Sequence, residues 1–375
     1  MPTSLAVKEL QPAAGNQEGL AAVRDIARRD LAPLVSAIDR DGLYPEAVLR
    51  KFGEAGAYRP HLPGFDQAGP DLVRAISAMA AAGEYCLSTS FCMWCQDALG
   101  WYIFTSDNAA LKQALGGRVA TADALGGTGL SNPMKSFFGI EKLRLKGRRV
   151  EGGYSVKGLL PWVSNLGPGH YFGAIFEMED DPTRRVMAVV GCDSPGVTLA
   201  QNDHFVALEG TRTFCVQLRD AFIPDAMVLA DPIDSYIPRI RSGFILLQAG
   251  MAFGMIRGCI DLMLQQRGTL GHVNRYLDEQ PEHFEEELAA LETEVKRLAA
   301  TPFETDKEYW TRVIRARLAA GETSVRAAHN ALLHCGARGY VANGAAQRRL
   351  RESYFVAIVT PATKQLKKML ADLAA

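Results

Sequence analysis

The sequence has almost no net charge. Its 41 Lys and Arg face 42 Asp and Glu, which leaves −1 at pH 7. A general nucleic-acid binder needs a basic stripe that displaces counterions from phosphates, so this balance argues against one. Long apolar runs are missing too. The longest nearly apolar stretch, Gly243 to Ile256, contains Gln248 and is too short to cross a bilayer. The opening MPTSLAVKELQPAAGNQEG lacks the basic start and apolar centre of a signal peptide. Cysteine is sparse and odd in number, seven in 375 residues, a poor disulfide framework that fits a reducing compartment. No short repeat, low-complexity tract or His/Cys/Asp/Glu set with metal-ligand spacing is found. The expectation is a cytoplasmic protein with no metal, no nucleic-acid partner and no membrane partner.

What is present is an ordinary globular composition, 48% apolar and 22% charged, in a chain long enough for two or three domains. Its hydrophobic period changes twice. From about Glu18 to Gly116 it is helical: Leu20, Val23, Ile26 and Ala27 recur at helical spacing, and further helices are expected from Asp71 through Ala82 and from Cys92 to Phe104. From about Thr121 to Ala230 the texture is β. Gly152-Gly153 reads as a hairpin turn between Leu143–Arg149 and Tyr154–Val156. More strands are expected at Phe172–Glu177, Val186–Val190, Val197–Leu199 and Phe214–Leu218, and short strands with regular turns point to a barrel or sandwich. From about Ile237 the helical period returns. The expected domains are an N-terminal helical domain at 1–120, a central β-barrel or sandwich at 121–232, and a C-terminal four-helix bundle at 233–375.

Two local patterns have competing readings. Cys92-Met93-Trp94-Cys95 has redox spacing but lies in a helical context, where buried Cys serves as a small packing residue. Phe284, Leu288, Leu291, Val295 and Leu298 step by four, three, four and three, which suits either a bundle helix or a subunit interface.

Several segments, in order, resemble the acyl-CoA dehydrogenase superfamily. VRDIARRDLAPLVSAIDRDGLYPEAVLRKFGEAGA looks like the family's opening helices. Leu160-Pro161-Trp162-Val163-Ser164-Asn165 resembles its flavin strand, and Thr211-Arg212-Thr213 with Phe222-Ile223-Pro224 resembles its later strand and the exit into the bundle. Gly336-Ala337-Arg338-Gly339-Tyr340 and Arg351-Glu352 resemble the glycine-rich turn and the basic-acidic pair before the final helix. The stretch Gly126-Gly127-Thr128-Gly129-Leu130-Ser131 stands where the family has its second flavin loop. The resemblance implies an α+β multidomain fold and FAD as cofactor, with FMN as the other flavin. It implies Trp162, Ser164, Thr128, Gly129 and Ser131 as cofactor-binding residues. It also implies an acyl-thioester substrate, a homodimer or homotetramer, and an electron-transfer flavoprotein or flavin reductase as partner. The physics agrees with the flavin strand: an isoalloxazine ring wants an apolar wall and a few fixed donors, and positions 162 and 164 share one side of a strand.

The resemblance breaks at the reacting groups. The family's α,β-dehydrogenation uses a carboxylate base, which counting from Arg351-Glu352 falls at Thr360, followed by Pro361; some relatives carry it on the first bundle helix, here about Phe244. Neither residue is acidic, so the catalytic residues are not assigned. Glu84 and Asp97 are candidate displaced bases, read otherwise as solvated or capping carboxylates. The segment that grips the cofactor pyrophosphate has no clear copy; His272-Val273-Asn274-Arg275-Tyr276 stands nearby, and Leu333 replaces a glutamine. Three functions follow: an acyl-thioester dehydrogenase with a relocated base, a flavin monooxygenase on the same fold, or a non-catalytic flavin- or acyl-CoA-binding homologue.

Overall fold

The computed structural model describes residues 14–65, 69–201 and 203–375. The start of the chain, where the leader was sought, lies outside them except for its last residues.

The first helices are Ala14–Ile26, Glu46–Glu54, Leu72–Gly83 and Leu87–Thr105. Leu72–Gly83 starts where Asp71 accepts a hydrogen bond from the Arg74 N–H at 3.1 Å, which satisfies one of the free donors of the first turn. Leu87–Thr105 is different in kind, because every residue but Phe104 is buried. A helix apolar or small on all sides belongs inside a fold, and this one is the central pillar of the molecule. Cys92 and Cys95 lie on it, and all seven cysteines are free thiols.

Eight strands form the central layer: β1 Gly126–Thr128, β2 Lys146–Val150, β3 Gly153–Val163, β4 Tyr171–Met178, β5 Arg185–Gly191, β6 Val197–Ala200, β7 Phe214–Pro224 and β8 Val228–Ala230. They make one mixed sheet in the order β6-β7-β3-β2-β4-β5-β8, with β1 added alongside β4. Among the described residues its end strands, β6 and β8, are not paired with each other, so the layer is an open sheet and not a closed barrel. Most pairings are antiparallel, while β1–β4 and β2–β4 are parallel. The hairpin expected at Gly152-Gly153 turns one residue earlier. Gly152 takes the left-handed conformation (φ 74°), and Gly153 already pairs with Val150 and with Pro224.

The C-terminal helices are Tyr236–Leu247, Ala249–Gln265, Pro281–Ala299, Lys307–Cys335, Ala345–Ile358 and Thr363–Ala374. The first two run on as Tyr236–Gln265, the one span among the described residues long and apolar enough to cross a membrane, and its most apolar stretch is 94% buried in the fold. It is therefore longer than the interrupted stretch read from the sequence, and its apolar surface is already covered by protein. The Phe284–Leu298 seam likewise faces the chain's own core, as one helix of the bundle.

Burial groups these parts in two. One apolar cluster joins the N-terminal helices to the C-terminal bundle, and a second lies within the sheet around Leu145, Phe172, Phe176 and Val216. The helical segments at the two ends of the sequence thus share a core, with the sheet packed beside it.

Candidate functional site

A cavity of about 630 Å³ opens where the sheet, the pillar helix and the last helices meet. Its sheet side carries hydroxyls. Ser164 follows β3, and its Oγ lies 2.6 Å from Thr213 Oγ1. Thr213 in turn lies 2.8 Å from Thr211 Oγ1, and Thr211 donates to the Leu208 carbonyl at 2.7 Å. Thr128, at the end of β1, meets the buried Tyr102 hydroxyl at 2.8 Å. Trp162 stands at the mouth, 53% exposed, with its indole N–H donating to the Asp203 carboxylate at 2.7 Å.

The helical side is aromatic. Phe91 and Trp94 stack at 5.7 Å, Phe91 meets Phe355 edge-on at 4.5 Å, and Trp94 meets Phe244 at 5.0 Å. The Trp94 N–H donates to the Phe244 carbonyl at 3.3 Å, so this ring is held at both its face and its edge. Between the two sides, Ser131 and Thr360 touch through their hydroxyls at 2.9 Å, although 229 residues separate them in sequence.

Of the residues named from the sequence, Trp162, Ser164, Thr128 and Ser131 line this cavity, together with Thr360 and Phe244 from the two base positions. Gly129 does not. Its N–H donates to the Gly173 carbonyl at 2.7 Å, and a Cβ there would meet Leu160 at 2.8 Å. The other glycines of the loop have the same use. A Cβ on Gly126 would meet the Tyr171 carbonyl at 2.1 Å, and one on Gly127 the Ser164 carbonyl at 2.2 Å. These glycines let β1 lie against neighbouring backbone, rather than bring backbone to a ligand. Asn165 completes that arrangement: in a left-handed conformation (φ 63°) that Asn tolerates, it donates to the Gly126 carbonyl at 2.7 Å and accepts from the Tyr44 hydroxyl at 2.7 Å.

Sequence reasoning missed Phe91, Arg351, Phe355 and the apolar loop residues Phe205 to Leu208 as cavity residues. Among the described residues, Lys135 and Arg351 are the only charged side chains on the wall, and no carboxylate lines it; Lys135 pairs with Glu141 at 3.0 Å and Arg351 with Asp39 at 3.0 Å. Glu84 pairs with Arg257 at 3.5 Å away from the cavity. Asp97 is buried outside the cavity beside His61, whose Nδ1 lies 3.6 Å from its carboxyl. This is not an ion pair. Burial lowers the His61 pKa to about 4, so the imidazole is neutral near pH 6, and burial raises that of Asp97 well above its ordinary value. His61 Nε2 faces the Asp97 carbonyl at 2.9 Å and must donate there, which leaves a bare Nδ1 toward the Asp97 carboxyl.

Residues 15–123 match the model for the acyl-CoA dehydrogenase N-terminal domain. A probable acyl-CoA dehydrogenase of Bacillus subtilis, YngJ, is 24% identical over 357 residues, covering 90% of this chain and 91% of its own. The structure of butyryl-CoA dehydrogenase from Megasphaera elsdenii superposes with a TM-score of 0.84 at 15% identity, covering 98% of this chain and 100% of that one. Residues 15–123 thus carry the acyl-CoA dehydrogenase N-terminal domain, and over most of its length the chain is similar to acyl-CoA dehydrogenases. A glutaryl-CoA dehydrogenase from Mycobacterium smegmatis in complex with FADH2 also shares the fold, with a TM-score of 0.77 at 18% identity, covering 97% and 95% of the two chains. Beside these similarities, the chain has a threonine and a phenylalanine, Thr360 and Phe244, at the two places that sequence counting gave for a base, and both line the cavity.

Proposed function

We propose that this chain is a flavin-dependent oxidoreductase acting on an acyl-CoA-type thioester, with FAD as its cofactor. The observation that carries the reading is the cavity with two unlike sides, a row of neutral hydroxyls facing an aromatic wall. A flavin ring is flat and apolar on its faces and polar along one edge, and that donor set fits it. Trp162 would cover the ring at the mouth, and Ser164, Thr128 and Ser131 would meet its polar edge, with Gly129 supporting the loop from behind. When bound, the flavin supplies a two-electron acceptor. Superfamily relatives named as acyl-CoA dehydrogenases, and the relative with FADH2, support both cofactor and substrate class.

The chain's own residues bind and orient a ligand and exclude water through the rings of Phe91, Trp94 and Phe244. What they do not offer is a proton acceptor. The Ser131–Thr360 hydroxyls can pass a proton but cannot keep one near neutral pH. That absence favours a second reading, a monooxygenase using reduced flavin and oxygen, which needs no base at the α-carbon. We place the chain in the cytoplasm as a homodimer or homotetramer, with an electron-transfer flavoprotein or a flavin reductase as redox partner.

The test is anaerobic mixing of oxidised holoprotein with a panel of acyl-CoAs. Bleaching of the flavin band supports dehydrogenation. No bleaching, with oxygen-dependent product after reduction, supports the second reading. Flavin-free protein that also rejects added FAD and FMN overturns both. Trp162→Ala is expected to weaken flavin retention on gel filtration, and unchanged retention would remove Trp162 from the site.

A further inference from the structure

Behind the Thr360 end of the cavity lies a buried arginine that none of the above uses. Arg317, 3% exposed on the Lys307–Cys335 helix, donates through Nε to the Gln248 side-chain oxygen at 2.6 Å and through Nη2 to the Val356 carbonyl at 2.6 Å. Gln248 passes the contact on, its amide donating to the Thr360 carbonyl at 2.9 Å. The pocket for the guanidinium is cleared by Gly321, where a Cβ would meet Nη1 at 2.9 Å.

The other arginines near this cavity have acidic partners. Arg348 and Arg349 share Glu352 at 3.0 and 3.5 Å, and Arg351 has Asp39. Among the described residues, Arg317 has no carboxylate within ion-pair distance; both its acceptors are neutral. Burial alone brings its pKa down to about 10, so it remains charged at neutral pH. A desolvated, uncompensated cation is costly and is ordinarily paired. Gln248 links it to the Thr360 backbone carbonyl, at the end of the cavity that carries the Ser131 and Thr360 hydroxyls.

We propose that Arg317 makes the Thr360 end of the cavity an anion-accepting subsite, which selects a substrate group bearing a carboxylate held by the Thr360 hydroxyl beside Ser131. This rests on the thioester reading above and narrows it to a thioester whose acyl group carries a carboxylate close to the thioester carbon. Arg317 acts through Gln248 and Thr360, as a positioning and specificity residue. A fixed charge one residue behind a low-dielectric wall changes anion affinity by roughly tenfold.

The experiment is calorimetric titration of the protein as purified with malonyl-CoA and butyryl-CoA, similar in size but different in charge, for wild type, Arg317→Met and Arg317→Lys. Wild type is expected to prefer malonyl-CoA at least tenfold, Arg317→Met to lose that preference, and Arg317→Lys to keep most of it. A merely structural arginine would change stability without moving the ratio. A wild-type ratio near one, or a ratio unchanged in Arg317→Met, overturns the proposal. If Arg317→Met does not fold, Ser131→Ala combined with Thr360→Val decides: the ratio of malonyl-CoA to butyryl-CoA affinity is expected to fall about tenfold, and an unchanged ratio overturns the proposal. Benzoate and benzamide are titrated in parallel. Binding of neither thioester sinks the thioester reading, and the subsite then stands only if benzoate is preferred over benzamide and that preference is lost in Arg317→Met or in the double variant.

Discussion

The two sides of the cavity are built by different physics. The sheet side is a chain of short hydroxyl contacts, Ser164 to Thr213 to Thr211 to the Leu208 carbonyl, each link fixed by strand ends and worth on the order of 1 kcal/mol. The helical side is Phe91, Trp94, Phe244 and Phe355, rings that hold each other by area and stacking, with several kcal/mol at each position. The polar side can therefore vary its donors at little cost to the fold, whereas the aromatic side cannot change shape without disturbing the core. A base could have been accommodated on either side, and neither has one.

The largest effect is expected where the aromatic side is densest. Trp94→Ala removes a buried ring that touches both Phe91 and Phe244, and is expected to cost about 3–5 kcal/mol, read as a lower urea midpoint. A loss below about 1 kcal/mol would break the contrast between the two sides. Next is the acid three residues further along the same helix, with its histidine neighbour. Burial depresses the His61 pKa to about 4 from the ordinary 6.5, so the folded state binds fewer protons than the unfolded one. That contribution is complete above pH 6.5 and is lost as pH falls toward 4, about 3 kcal/mol in all. Asp97 has the opposite sign: its raised pKa makes the fold lose stability as pH rises above the ordinary carboxylate range. The two slopes offset each other in wild type. Asp97→Asn removes one, so its stability is expected to climb between pH 4 and 6.5 more steeply than that of wild type. Equal slopes in the two proteins would contradict the neutral pairing.

A third change places the missing base at the junction of the two sides. Thr360→Glu is expected to raise α-proton exchange of butyryl-CoA in D2O about a hundredfold, the lower range for a positioned general base. No gain in exchange would mean that position 360 does not face the α-carbon.

The contrast also explains what could be read in advance. The sheet side was legible, because Trp162, Ser164, Thr128 and Ser131 stand at strand ends and turns whose residue types are distinctive in a linear sequence. Gly129 was misplaced for a physical reason: glycine marks close approach, and sequence does not say to what. Here it approaches Leu160 and the Gly173 carbonyl. The strands were found within a few residues, but not the order that makes one open mixed sheet, since that depends on pairings such as Gly126 with Tyr171. Phe91 escaped notice as a cavity residue because the pillar helix is buried on nearly every face, so its period cannot point to a cavity. Arg317 and Gln248 carry no motif at all; only the fold brings them to Thr360.

The smallest effect belongs to the hydroxyl chain, and it tests the contrast from its weaker side. Ser164→Ala deletes the first link but leaves Thr213 with Thr211, so no buried group loses every partner. The stability cost is expected to be about 1 kcal/mol or less. Flavin affinity, measured by fluorescence titration, is expected to fall roughly fivefold, which is what one hydrogen bond to a ring edge contributes. Ser164→Ala and Thr213→Val together should cost the sum of the two singles if the links act independently, and less than that sum if the chain acts as a cooperative unit. Either outcome leaves the aromatic side undisturbed. A several-kcal/mol loss of stability from Ser164→Ala would show instead that the hydroxyls are part of the core, and the two sides would then be one construction.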